Sequence, residues 1–286
     1  MREGSGGADR RRLPGPVTRR RAEGPAVPRW LWLPGGLALA FVAGPLLGIA
    51  VRIPWADVPA LLTAESSIDA LRLSLLTCLA ATALSLLLGL PLAVLLARAS
   101  GRWAGAARTL VTIPLVLPPV VAGLALLTTL GRRGVLGSYL SAWGIEIGFT
   151  TVAVVVAQTF VAMPYLITAV DGALRSTGTA YEQVAATLGA TPTHVLRRVT
   201  LPLMLPAVAS GTALAFARAL GEFGATLTFA GSLQGVTRTL PLEIYLQRES
   251  DTDAALALAL VLILLAGATV GVTTWVARRT TGRVRS

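Results

Sequence analysis

Six long apolar stretches, separated by shorter polar segments, dominate the hydrophobic pattern of this chain. Each approaches the ~20 residues that an α-helix needs to cross the hydrocarbon core of a bilayer. The pattern therefore predicts an all-α fold, a polytopic membrane bundle of about six transmembrane helices. The predicted spans are residues 30–51, 68–97, 109–130, 149–170, 201–220 and 254–277.

The polar segment at residues 173–202, between the fourth and fifth spans, has the pattern of two short helices joined by an elbow. Thr179 and Glu182 have the spacing of a capping box, in which each side chain bonds the other residue's amide. Gly189 stands where a left-handed residue ends a helix, and a Thr-Pro pair then begins another. Pro202 predicts that this second helix ends just before it. Such an elaborate loop predicts a docking surface, with small residues at Ala185, Ala186, Gly189 and Ala190.

Composition and charge support a membrane protein of defined orientation. The chain is 54% hydrophobic, with a mean hydropathy of +0.69, and it contains no lysine. Its arginines concentrate before the first span, after the second and fourth spans, and after the last. The positive-inside rule therefore predicts that both termini and the 173–202 loop are cytoplasmic. The net charge of +11 follows from this topology, since the arginines are divided among four segments.

The domain organisation follows from the same pattern. Residues 1–29 are rich in Arg, Gly and Pro with little apolar content, which predicts a disordered cytoplasmic tail. Residues 30–280 form one transmembrane domain, and residues 281–286 form a short cytoplasmic C-terminal tail. No obvious cleavage site follows the first span, so we expect an uncleaved signal anchor.

The chain offers little for catalysis. Cys78, the one cysteine, lies inside the second span, and His194, the one histidine, lies in the polar loop. An intrachain disulfide, a metal cluster and a catalytic triad are therefore excluded. Without lysine there is no P-loop, so any ATP must be bound by another chain. We expect no catalytic residue, no metal ligand and no cofactor on this chain.

Ionisable residues close the fifth span, within residues 217–228. Arg218 and Glu222 are four apart, so a helix would place them on one face as a pair. Two glycines nearby permit a break, which is tolerated at membrane depth only in a cavity wall or inside protein. We interpret the segment as part of a translocation path, to which Thr226 and Thr228 add hydroxyl groups. A structural ion pair at the membrane boundary is the alternative.

Three prolines in the third span, Pro114, Pro118 and Pro119, predict a kink or a break in that helix. Neighbouring helices must then satisfy the freed backbone groups. A gating hinge and a purely packing role are both compatible with this pattern.

The polar loop resembles the EAA coupling loop of permease subunits of ABC importers. In that pattern an acid and two alanines precede a glycine, and a hydrophobic-x-Leu-Pro sequence follows. The glycine, here Gly189, and the Leu-Pro at 201–202 are intact; Gln183 occupies the acidic slot, with Glu182 one position earlier. The resemblance assigns coupling to an ATPase to Glu182, Gln183, Ala185, Ala186, Gly189, Leu201 and Pro202.

Residues 216–231 and 235–245 resemble the molybdate permease subunits of this importer family. The Gly-Glu-Phe-Gly core at 221–224 is similar in sulfate and tungstate permeases. The Thr-Leu-Thr-Phe that follows, and the Thr-Arg-Thr-Leu-Pro at 237–241, favour molybdate. The resemblance covers roughly residues 60–280.

The resemblance implies a type I ABC-importer permease fold in the bacterial plasma (inner) membrane. Two identical permease chains would be flanked by two cytoplasmic ATPase subunits, which bind ATP and Mg, and an extracytoplasmic binding protein would deliver molybdate. ATP binding would close the ATPase dimer, and the coupling loops would switch the permease from inward-facing to outward-facing. The side chains expected along the path are Arg218, Glu222, Thr226, Thr228 and Thr239.

Several alternatives remain open at this point. Within the same family, the substrate could be sulfate or tungstate. A secondary transporter often shows internal repeats, and no clear repeat relates the halves of this chain. A membrane-embedded enzyme would need clustered acids, histidines or a nucleophile, and Glu222 is the sole candidate for an intramembrane acid.

Overall fold

The structure is a computed structural model that describes residues 28–283, with side chains to residue 272. Over this range it is all helical, with no strand, which confirms the predicted fold class. The predicted tail at 1–29 lies almost wholly outside the described residues, as do the last three residues of the 281–286 tail. The chain divides into two units, residues 1–48 and 49–286.

The helices follow the predicted spans, with additional short helices between them. A 3-10 turn at Arg29–Leu31 leads into α1 (Trp32–Arg52), which carries the first span and contains Pro45. The remaining helices are α2 (Val58–Thr63), α3 (Glu65–Leu84), α4 (Leu90–Arg98), α5 (Arg102–Val116), α6 (Pro119–Leu130), α7 (Gly137–Ala142), α8 (Thr151–Thr177), α9 (Ala180–Thr187), α10 (Pro192–Val195), α11 (Leu201–Leu220), α12 (Gly224–Ala230), α13 (Leu240–Ser250) and α14 (Thr252–Arg283).

Five helices in the described range are long and apolar enough to cross a membrane, and a bent pair of helices makes a sixth span if the pair is counted as one. The second span is one continuous helix, Glu65–Arg98, in which a π turn joins α3 to α4. The third span consists of α5 and α6, whose axes are bent by 116° at residues 117–118. This confirms the break predicted from the prolines, because Leu117 precedes a proline and adopts extended geometry.

The fifth span is longer than predicted. It runs without interruption from Pro192 to Leu220, so the prediction that a helix ends before Pro202 is wrong. A π turn at Leu196–Thr200 lies immediately before α11. Pro202 follows this π turn directly, and the wider hydrogen-bonding pattern there accommodates the proline ring, which lacks an amide hydrogen.

Helix α8 lies at the centre of the larger hydrophobic core. Its buried face, which includes Leu166, Ile167 and Val170, packs against side chains of α3, α4 and α11. A Cβ on Gly211 of α11 would lie 3.2 Å from the Cα of Leu166, so the two backbones approach closely. Between helices in lipid there is no hydrophobic driving force, and small residues allow the close van der Waals packing that stabilises such contacts.

A second core joins α6, α8 and α12. Phe229 of α12 is fully buried in it, with Val154 and Ala157 of α8. Gly123 of α6 faces α12 so closely that a Cβ there would lie 2.7 Å from the Cβ of Thr228. The short helix α12 is therefore held tightly against the second half of the broken span.

Candidate coupling loop and translocation path

The loop between α8 and α11 forms the predicted elbow. Helix α9 ends in two bonds typical of a Schellman motif: Gly189 N–H to Ala186 O at 3.0 Å and Ala190 N–H to Ala185 O at 3.1 Å. Gly189 has φ +83°, which confirms the predicted left-handed position. Thr191 caps α10 by accepting from the His194 amide at 3.4 Å, also as predicted.

The predicted capping box is wrong. The Thr179 side chain makes no capping hydrogen bond to α9. Instead, Glu182 Oε1 accepts from Arg98 Nη2 at 2.6 Å and from Thr200 Oγ1 at 2.6 Å. A charge-assisted bond to a guanidinium is stronger than a bond to an amide, which explains why the carboxylate turns toward Arg98.

One face of α9 is apolar and exposed. Tyr181, Val184 and Leu188 lie at helical spacing, and they are 64%, 60% and 83% exposed. We call these three residues the docking face. Of the small residues at the elbow, Ala186 and Gly189 are exposed, whereas Ala185 and Ala190 are half-buried. An exposed apolar surface outside the spans is typical of a protein–protein contact.

The remaining members of the predicted coupling set are divided between surface and core. Gln183, at the acidic slot of the resemblance, is exposed beside the docking face. Leu201 is half-buried and Pro202 is exposed, both in the first turn of α11. Glu182 points toward α4, where its carboxylate pairs with Arg98, and its role in coupling stays a prediction.

The predicted pair at the end of the fifth span is confirmed. Arg218 Nη1 lies 2.6 Å from Glu222 Oε2, and Glu222 is only 1% exposed. Glu222 lies just beyond α11, at the break before α12. Its Oε1 accepts from the buried Ala225 amide at 2.7 Å. One carboxylate thus compensates the arginine and caps the start of α12.

The threonines assigned to the path have different environments. Thr226 and Thr239 are fully buried, and their hydroxyls have no hydrogen-bond partner among the described residues. The Thr228 hydroxyl instead donates to the Gly224 carbonyl at 2.8 Å. Thr226 and Thr239 therefore retain free hydrogen-bonding capacity, while Thr228 uses its own within α12. Whether a substrate meets any of them stays a prediction.

A second buried carboxylate anchors the segment between α12 and α13. Glu243 is 1% exposed, lies 3.4 Å from Arg238 Nη1, and accepts from Gln247 Nε2 at 2.8 Å. Ser74 of α3 accepts from the Leu240 amide at 2.6 Å. The charge of Arg238, like that of Arg218, is therefore balanced by a neighbouring carboxylate.

Sequence reasoning missed several residues that position these sites. The sequence assigns no site role of their own to Arg98, Thr200, Ser74 or Glu243. Glycine at position 123, inside an apolar span, is a sequence signal for close helix packing that could have been used. The partners of Arg98 and Ser74 are 84 and 166 residues away in sequence, so no local pattern reveals them.

The fold and these sites define a class of membrane protein. Residues 89–282 match the family model described as binding-protein-dependent transport system inner membrane component. The match covers more than half of the chain, and the chain belongs to this family. It is therefore the multi-pass inner-membrane permease component of such a transport system.

The chain is also similar in sequence to individual permeases of known substrate class. The chain is 60% identical over 225 residues to "Molybdenum transport system permease protein ModB" of Mycobacterium tuberculosis, covering 79% of this chain and 85% of that protein. It is 32% identical over 196 residues to "Sulfate transport system permease protein CysT" of Salmonella typhimurium, covering 68% and 71%.

Similarity to a solved structure supports the assignment of the fold, and nothing beyond the fold. The chain superposes with a TM-score of 0.67 on a chain of a bacterial alginate ABC transporter in complex with an alginate pentasaccharide-bound periplasmic protein. The identity is 21%, and the match covers 88% of this chain and 94% of the other.

Proposed function

We propose that this chain is the permease subunit of an ABC importer that carries molybdate across the plasma membrane. The observation that carries this proposal is the high identity, along most of the chain, to a permease named for molybdenum transport. The lower identity to a sulfate permease keeps sulfate as the second candidate, and tungstate shares the tetrahedral dianionic form of molybdate.

The docking face contacts a separate ATPase in this proposal. Three exposed apolar side chains, two on α9 and Leu188 just after it, offer a surface for a protein partner, and Gln183 lies beside them. Because the chain has no lysine, it has no P-loop, and ATP and Mg belong to the partner. Two ATPase subunits, a second permease copy and an extracytoplasmic binding protein complete the assembly, with both termini of the chain in the cytoplasm.

The charge pattern of the path suits weak binding of a dianion. Arg218 and Arg238 would attract an oxyanion, but Glu222 and Glu243 balance their charges. A deep site would slow release, since conduction requires binding weak enough for the substrate to leave. Neutral hydroxyls such as those of Thr226 and Thr239 are donors of suitable strength, and tight selection is left to the binding protein.

The test is ATP hydrolysis by the permease reconstituted in vesicles with the ATPase and binding protein of the same importer. The assay is titrated with molybdate, tungstate and sulfate. Stimulation by molybdate, but not by sulfate, is expected. Stimulation by sulfate alone would overturn the substrate and keep the class, and failure to assemble with an ATPase would overturn the role of the docking face.

A further inference from the structure

We propose that Arg98 is a positioning residue that transmits movement of the coupling loop to the second span, through Glu182. This inference rests on the proposed function, because it supplies a mechanical link between a docked ATPase and the membrane helices. Apart from Glu182, the link is made of side chains that belong to no sequence motif, Arg98 and Ser74, and its far end reaches the segment between α12 and α13.

The Glu182 carboxylate is the junction of three elements. Glu182 belongs to α9, Arg98 is the last residue of α4, and Thr200 ends the π turn before α11. Both partners donate to the same oxygen, Oε1, at 2.6 Å. Thr200 is 4% exposed, and the side chains of Arg98 and Glu182 are 28% and 20% exposed. The junction is therefore held in a partly desolvated site, where charge-assisted bonds are strong.

Glycines with positive φ flank helix α9 at both ends, so its position against the rest of the chain depends on side-chain contacts. Gly178, which precedes it, has φ +71°, and Gly189, which follows it, has φ +83°. An open cleft of about 550 Å³ lies beside α9, and its lining includes Val94 of α4 and Ala186 of α9. Of the ion pairs found among the described residues, Arg98–Glu182 is the one that joins α9 to another element.

The second span extends this link across the bundle. The helix Glu65–Arg98 is continuous, and Ser74 lies 24 residues from Arg98, which corresponds to about 36 Å at 1.5 Å per residue. At that far end, Ser74 accepts from the Leu240 amide and Asp69 accepts from Gln234 at 3.2 Å. A displacement of Arg98 along the helix axis would therefore reach the segment that carries Thr239.

A neighbouring cluster supports the end of this helix. Arg108 of α5 donates to the Leu96 carbonyl, and its Nε lies 3.4 Å from Asp171 of α8. Through Arg108, the last turn of α4 is linked to α5 and α8. Arg98 is the residue at the tip, facing the loop.

The experiment measures molybdate imported per ATP hydrolysed by the complete complex in vesicles. Arg98→Gln removes the charge and keeps most of the side-chain length. The matched control is Arg102→Gln, because Arg102 is exposed, lies four residues further on, and forms no ion pair in the part of the chain that the structure describes. A third variant is Glu182→Gln alone, and a fourth combines it with Arg98→Gln.

Arg98→Gln is expected to lower import per ATP by at least about fivefold, the lower end of typical coupling between sites. Arg102→Gln is expected to leave it unchanged. The double variant should be no worse than the more impaired of its two single variants, since the pair acts as a unit. A merely structural role would reduce the amount of active complex and leave import per ATP at the wild-type value, which would overturn the inference.

Two further outcomes separate this inference from the function on which it rests. If the wild-type complex imports molybdate and Arg98→Gln keeps the wild-type ratio, the inference fails and the proposed function stands. If the wild-type complex neither assembles nor imports any oxyanion, the proposed function fails and the inference fails with it.

Discussion

Removing the charge of Glu222 tests the energetics of the break between α11 and α12. Glu222→Gln preserves the shape of the side chain and its ability to accept from the Ala225 amide. It removes the negative charge that lies 2.6 Å from Arg218. The variant therefore isolates the ion pair from the helix cap.

The expected magnitude follows from burial. Breaking a fully buried ion pair costs about 3–5 kcal/mol because one charge is left uncompensated. Arg218 is 27% exposed, so water solvates part of its charge, and we expect about 1–2 kcal/mol for Glu222→Gln. Glu222→Leu also leaves the buried Ala225 amide without its acceptor, which adds about 1–3 kcal/mol.

The assay is thermal unfolding of the purified permease in detergent. A loss of 1 kcal/mol lowers the unfolding midpoint of a chain of this size by about 2–4 °C, so Glu222→Gln should lower it by about 2–8 °C. Arg218→Met combined with Glu222→Gln should recover part of this loss, because no charge remains unbalanced. The exposed Glu249→Gln is the control. Equal midpoints for Glu222→Gln and wild type would refute the reasoning.

Three further predictions use the same chain. Gly123→Ala should lower the unfolding midpoint by an amount equivalent to about 1–3 kcal/mol, because a Cβ there would contact the backbone of α12 at 2.8 Å; Gly105→Ala, where nothing lies within 4 Å, should not. Gly189→Ala forces a side chain into the left-handed region at a cost of about 1–2 kcal/mol, so co-purification with the ATPase should decrease; full retention would contradict it. Arg238→Gln should lower the midpoint by an amount equivalent to about 1–3 kcal/mol, because it leaves the buried Glu243 without its cation; an unchanged midpoint would contradict this.

The sequence predicts this fold well because lipid imposes a strong constraint. Every spanning helix must be apolar over about 20 residues, and this pattern locates the five spanning helices and the bent pair to within a few residues at most ends. Local chemistry also predicts the elbow at Gly189 and the pair Arg218–Glu222, since each depends on residues within four positions. The fifth span is the exception, because a π turn, which has no sequence signal, carries the helix past Pro202.

The candidate sites are predicted less completely. The sequence identifies Glu182 as a residue of the coupling loop. Its carboxylate bonds Arg98, which is far away in sequence, and not the Thr179 amide that the predicted capping box requires. Thr226 and Thr239 were chosen for their hydroxyl groups, whereas only packing shows that their oxygens are buried and unpartnered. Contacts between distant segments depend on how helices assemble, and that information is spread over the whole chain.

The proline pair at the break in the third span has a consequence for backbone solvation. A broken helix at membrane depth exposes amide hydrogens, and each unsatisfied one costs several kcal/mol in hydrocarbon. Pro118 and Pro119 have no amide hydrogen to lose, while the amides of Val121 and Ala122 both donate to the Pro118 carbonyl, at 2.9 and 3.1 Å. The 116° bend is therefore made at two positions that have no amide donor to satisfy.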